Sequence, residues 1–115
     1  MTFTAPQYKT EYLTECLLEQ VNDRFKVDAI ESGRNFYHIL TYEVAKKYIK
    51  VFTSTVYDGV QRDGRSVFMF IDKETGAVYK PASFKAPAKG IRFRLESLVD
   101  NPEIVDPYGS FLYVR

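Results

Sequence analysis

The period of apolar positions changes along the chain. Leu13, Cys16, Leu17, Gln20 and Val21 follow the i, i+3, i+4, i+7, i+8 stripe of an amphipathic helix. Thr4 and Gln7 fit a capping box, Phe3 and Tyr8 fit a hydrophobic staple, and Pro6 sits in the first turn. These signals predict a helix over 4–23. From Arg24 the period drops to two: Phe25, Val27 and Ala29 alternate with Lys26 and Asp28, as in a half-buried strand. A turn is expected at Ser32-Gly33-Arg34-Asn35. Strands are expected over Phe36–Glu43, Lys47–Tyr57, Ser66–Asp72 and Ala77–Phe84. The Ser66–Asp72 segment is apolar on both faces, which predicts a central strand. Lys73-Glu74-Thr75-Gly76 reads as a hairpin loop with Gly76 left-handed. Asp58-Gly59 and Asp63-Gly64 bracket a polar loop. Ile91, Phe93 and Leu95 alternate with Arg92 and Arg94, and Ser110–Arg115 is an aromatic-rich strand candidate.

The layout is one helix followed by five or six mostly antiparallel strands, a mainly β, small α+β fold. No repeat or low-complexity tract interrupts it. At 115 residues the chain forms one domain, with the helix at 4–23, the sheet at 24–95 and a C-terminal extension at 96–115. Nine Tyr and nine Phe suit half-buried pleated surfaces. One helix covers only part of such a sheet, so closure into a small barrel or self-association is expected to cover the rest.

Charge and chemistry narrow the function classes. Sixteen Lys+Arg against fifteen Asp+Glu give a net charge of +1, so no whole-molecule field draws in nucleic acid or membrane. Met1–Pro6 lack a signal-peptide pattern, and the longest apolar run, Val67–Ile71, is far short of a membrane span. A cytoplasmic protein without membrane contact is expected. The single Cys16 excludes an internal disulfide and a thiolate-rich metal site. It falls on the apolar stripe, where a buried, inert thiol is expected. His38 is the only imidazole, and mid-strand it reads as structural rather than as a general base. Asp58, Asp63, Asp72 and Glu74 read as turn formers, without the spacing of a calcium loop. No catalytic cluster, cofactor motif or metal motif is present, so a non-enzymatic protein is expected.

Two charged stretches stand out. Glu11, Glu15 and Glu19 share one helix stripe, a solvated face or a docking face for a basic partner. Tyr79–Arg94 carries Lys80, Lys85, Lys89, Arg92 and Arg94 and no acid. These cations suit phosphate contacts, and Tyr79 and Phe84 suit stacking on unpaired bases. Two prolines and a glycine favour an open loop. The competing readings are a solvated loop that guards a sheet edge, or a contact with the Glu stripe of a neighbouring copy.

The run Val67–Gly90, and above all Lys80-Pro81-Ala82-Ser83-Phe84-Lys85-Ala86-Pro87-Ala88-Lys89, resembles a stretch in small uncharacterised phage proteins, cyanophage proteins among them. The order of a capped helix and then short antiparallel strands resembles the Sm-like fold. Tyr79-Lys80-Pro81-Ala82 resembles the Tyr-Lys-His-Ala signature of bacterial Hfq, with Pro81 in the His position. The resemblance implies a strongly bent five- to six-stranded sheet forming an Sm-like barrel, a homo-oligomeric ring, RNA at the pore loops, and the cytoplasm of an infected bacterial host. The alternative expectation is a protein-interaction or virion-associated module that engages a host or phage protein and no nucleic acid.

Overall fold

The computed structural model describes residues 5–113. The expected cap at Phe3 and Thr4 lies outside them, as do Val114 and Arg115. Helix α1 spans Ala5–Glu31, eight residues beyond the expected end. The expected strand at Phe25–Ala29 is helical, because Phe25 and Ala29 also continue the i+4 series from Leu17 and Val21, and all four are buried. Val27, which a strand would bury alongside Phe25, is 43% exposed. A Schellman motif ends the helix: Gly33 N–H donates to Ile30 O and Arg34 N–H to Ala29 O, with Gly33 at φ 72°.

The strands are β1 (Phe36–Val44), β2 (Tyr48–Tyr57), β3 (Val60–Gln61), β4 (Ser66–Asp72), β5 (Ala77–Tyr79) and β6 (Phe93–Arg94). They form a six-stranded antiparallel sheet in the order β1-β2-β4-β5-β6, with β3 paired to β2. The fold is mixed α+β and mainly strand. β1 and β6 stand at opposite ends of the order, so the sheet is open. β4 is central, as its two apolar faces require. Asp58 and Gly59, at φ 53° and 80°, make the two-residue turn between β2 and β3. A bulge beside Val51/Phe52 lets two consecutive β4 residues, Phe68 and Met69, join the inner core, which breaks strict alternation.

Three further expectations are corrected. β5 ends at Tyr79 rather than Phe84, because Pro81 withholds a ladder donor and the chain turns back through a Pro81–Pro87 bridge. The strand expected at Ile91–Leu95 is only Phe93–Arg94; Leu95 opens helix α2 (Leu95–Asp100), which buries Leu95 and Leu98 at i, i+3. Ser110–Leu112 is a 3-10 turn rather than a strand, with Phe111 and Leu112 in the core. The described residues after 95 thus bring Leu98, Val105, Phe111 and Leu112 into the core.

The core lies between α1, α2 and the inner sheet face, with Leu17, Val21, Phe25, Leu40, Val51, Met69, Ile71, Val78, Leu98 and Leu112 buried together. α1 also covers the sheet edge. Asn22 Nδ2 donates to Leu40 O at 2.8 Å, and Leu40 N–H donates to Asn22 Oδ1 at 2.7 Å. One amide thereby satisfies both outward backbone groups in the middle of β1, as a neighbouring strand would. Asn22→Ala leaves both groups without this partner. It is expected to cost about 1–3 kcal/mol, read as a lower urea midpoint; an unchanged midpoint removes Asn22 from the edge account.

Candidate nucleic-acid interface

The outer sheet face is built from β2, β4 and the loop after β5. Pairing Lys50 with Phe70 across β2 and β4 sets both on that face, with Tyr48 and Phe52 two residues to either side of Lys50. The loop folds back over them. Ala82 and Ser83 N–H both donate to Ala86 O, and Ala88 N–H donates to Lys80 O, closing a compact lobe. Its tip lays Phe84 against Phe52, with ring centroids 5.8 Å apart. Lys50 Nζ donates to Phe84 O at 2.9 Å and lies 4.9 Å from the Phe84 ring and 5.7 Å from the Phe70 ring. Arg65 sets its guanidinium 3.8 Å from the centre of the Phe52 ring and pairs with Glu43 at 2.9 Å. That hydrogen bond holds the Glu43 carboxyl below its ordinary value. Tyr48 stands edge-on to Phe70 and to Tyr79. Phe84 remains 52% exposed.

Cations set over ring faces are attracted by the ring quadrupole. Here they also remain near a solvent-exposed ring, so one surface offers both charge for phosphates and an aromatic face for a base. The lobe is folded onto the sheet, which corrects the expectation of an open loop.

Of the expected site residues, Tyr79, Lys80, Phe84 and Lys85 belong to this face or its lobe, and Lys89 is exposed just beyond it. Lys80 Nζ lies 4.8 Å from the Tyr113 ring. By register Arg94 stands at the β6 end of this same face, opposite Ala77 and two residues along from Tyr79, and Arg92 precedes that strand. Arg92 is half-buried, with its backbone N–H on Val78 O, and Arg94 lies on the terminal strand β6, its guanidinium on Thr75 O. Sequence reading missed Lys50, Arg65, Phe52 and Phe70. A cation flanked by aromatics at i−2 and i+2, as Tyr48-Lys50-Phe52 is, was the available signal for Lys50. Arg65 carried no such signal, because only sheet pairing brings it over Phe52.

His38 lies elsewhere, in a cleft of about 560 Å³ on the inner side, between the end of α1, β1 and the 103–108 segment. Its ring meets Tyr108 edge-on at 5.3 Å. Arg24 in the cleft wall donates to Pro102 O and Val105 O, tying α1 to the C-terminal segment. Burial pushes the Asp106 carboxyl up, but hydrogen bonds from Phe111, Ser110 and Tyr108 outweigh it and hold its pKa below the ordinary value. A depressed folded-state pKa contributes stability above the unfolded-state value, and that contribution is lost as pH falls through the folded value. Asp106→Ala is expected to lose about 1–2 kcal/mol at neutral pH. The gap to wild type should narrow in acid; a pH-independent gap in urea titrations contradicts this assignment. Cys16 is half-buried rather than fully buried, and hydrogen bonding to it pushes the Tyr12 hydroxyl above its ordinary value.

A family model matches residues 4–114, nearly the whole chain. The chain belongs to DUF7717, a family of unknown function. No curated protein and no solved structure matches this DUF7717 chain. No helix of the described residues is long and apolar enough to cross a membrane. No group of three or more His, Cys, Asp or Glu side chains among them is arranged to hold a metal ion.

Proposed function

We propose that this chain is a non-enzymatic binding module that takes single-stranded RNA on its outer sheet face. One observation carries the reading: Lys50 and Arg65 lie over the rings of Phe52, Phe70 and Phe84, beside a half-exposed Phe84 and the Lys80–Lys89 lobe. A base stacks on the open side of Phe84, and Lys80, Lys85 and Lys89 neutralise the phosphates that follow. Stacking is tolerant of sequence because every base has a π face, so a general single-strand preference is expected.

The wider reading is a Sm-like protein encoded by a phage and acting in the cytoplasm of an infected bacterium. It is supported by the Val67–Gly90 wording and by the order of a helix followed by antiparallel strands. A Sm-type barrel needs the sheet to close, and a Sm-type ring needs free strand edges. The open strand order and the Asn22 cap on β1 give neither of these support, so the RNA reading rests on the outer face alone.

Fluorescence anisotropy with a labelled single-stranded RNA tests the reading. Binding should weaken steeply with salt, with a log–log slope of about −2 to −3 for three to four phosphate contacts. No binding at low salt would sink the RNA reading and favour a module that engages a protein instead.

A further inference from the structure

The acids of α1 border a groove that the described residues leave unfilled. Between α1 and the β1 edge run two hollows of about 430 and 480 Å³, separated by the Asn22–Leu40 bridge. Leu18, Leu40 and Ile39 line the floor, Tyr42 and Tyr37 the β1 side, and Glu15, Glu19 and Asp23 the α1 rim, with Lys26 the one cation beside them. Glu15 and Glu19 are exposed and stand outside the Arg65–Glu43 ion pair. On the β1 side, burial pushes the Tyr42 hydroxyl up, and the charges of Glu15 and Glu11 add to it.

The complement to this groove lies on the same chain. The lobe tip presents the exposed Lys85 next to the exposed apolar ring of Phe84, and the exposed Lys89 follows the bond that closes the lobe, with no acid between Tyr79 and Arg94. We propose that the α1–β1 groove binds the Lys80–Lys89 lobe of a second copy, joining copies head to tail. Phe84 and the lobe prolines cover the apolar floor, and Lys85 and Lys89 meet Glu15, Glu19 and Asp23. A net charge of +1 leaves little overall repulsion to oppose this contact. The contact is heterologous, since each copy offers one groove and one lobe on different faces, so it propagates from copy to copy. It uses side chains rather than strand edges, which suits a β1 edge that Asn22 already caps. The lobe is also part of the proposed RNA face, so RNA and the second copy compete for it.

Light scattering and sedimentation on the full chain test the proposal. Wild type should associate at low salt, with the association constant falling about tenfold or more at high salt, as for screened charge pairs. Glu15→Lys/Glu19→Lys and Lys85→Glu/Lys89→Glu should each be monomeric alone. Mixed, they should associate, because each retains the half the other lacks. A wild type that stays monomeric at low salt, or a mixture that does not associate, overturns the proposal. RNA binding by the Glu15→Lys/Glu19→Lys variant, whose lobe is intact, reports separately on the RNA face: it should persist whether or not the groove binds a second copy.

Discussion

Phe25→Ala is expected to destabilise the protein by about 3–5 kcal/mol, a large share of what a domain of this size commands. Phe25 is buried against the inner sheet face in the part of α1 beyond Asp23. Removing its ring leaves a cavity in the shared core, which relaxes poorly because Asn22 fixes α1 to β1 and Arg24 fixes it to the C-terminal segment. Val27→Ala, two residues on, should shift stability by less than about 0.5 kcal/mol, because Val27 faces solvent. The pair discriminates helix from strand at this segment. Period-two burial would make the two costs comparable, and comparable urea midpoints would contradict the helix.

The second large effect falls on binding. Lys80→Ala/Lys85→Ala/Lys89→Ala should weaken single-stranded RNA binding about 100-fold at low salt and make the salt slope shallower by about two. Phe84→Ala should cost about tenfold with little change in slope, since it removes a stacking surface and no charge. Arg94→Ala, at the terminal strand, should leave affinity within about twofold of wild type. Equal losses for Arg94→Ala and the triple variant would move the interface away from the lobe.

Much of the sheet was legible because local rules and tertiary needs agree there. β4 spans the expected Ser66–Asp72, β2 begins one residue later than expected, and Gly76 takes φ 76° in the hairpin loop. The failures have physical causes. Phe25, Val27 and Ala29 satisfy both a period of two and, through Phe25 and Ala29, the i+4 series from Val21. The continuing helix wins because it adds a turn to an existing one and buries two more core residues. Leu95 alternates with polar neighbours, and Phe111 opens an aromatic-rich run, over too few residues to separate a strand from a helical turn. At the site, the Lys80–Lys89 run was legible as charge. Its fold-back was not, because the seat for Phe84 is built by Phe52 and Lys50, more than thirty residues earlier.

The central claim is that RNA meets the outer sheet face, and chemical-shift mapping of backbone amides during titration with a short single-stranded RNA tests it most directly. Perturbed amides should cluster at Tyr48–Phe52, Arg65–Phe70 and Tyr79–Lys89, while those lining the His38 cleft stay in place. Shifts centred on His38, Tyr108 and the end of α1, or no shifts at low salt, would contradict it.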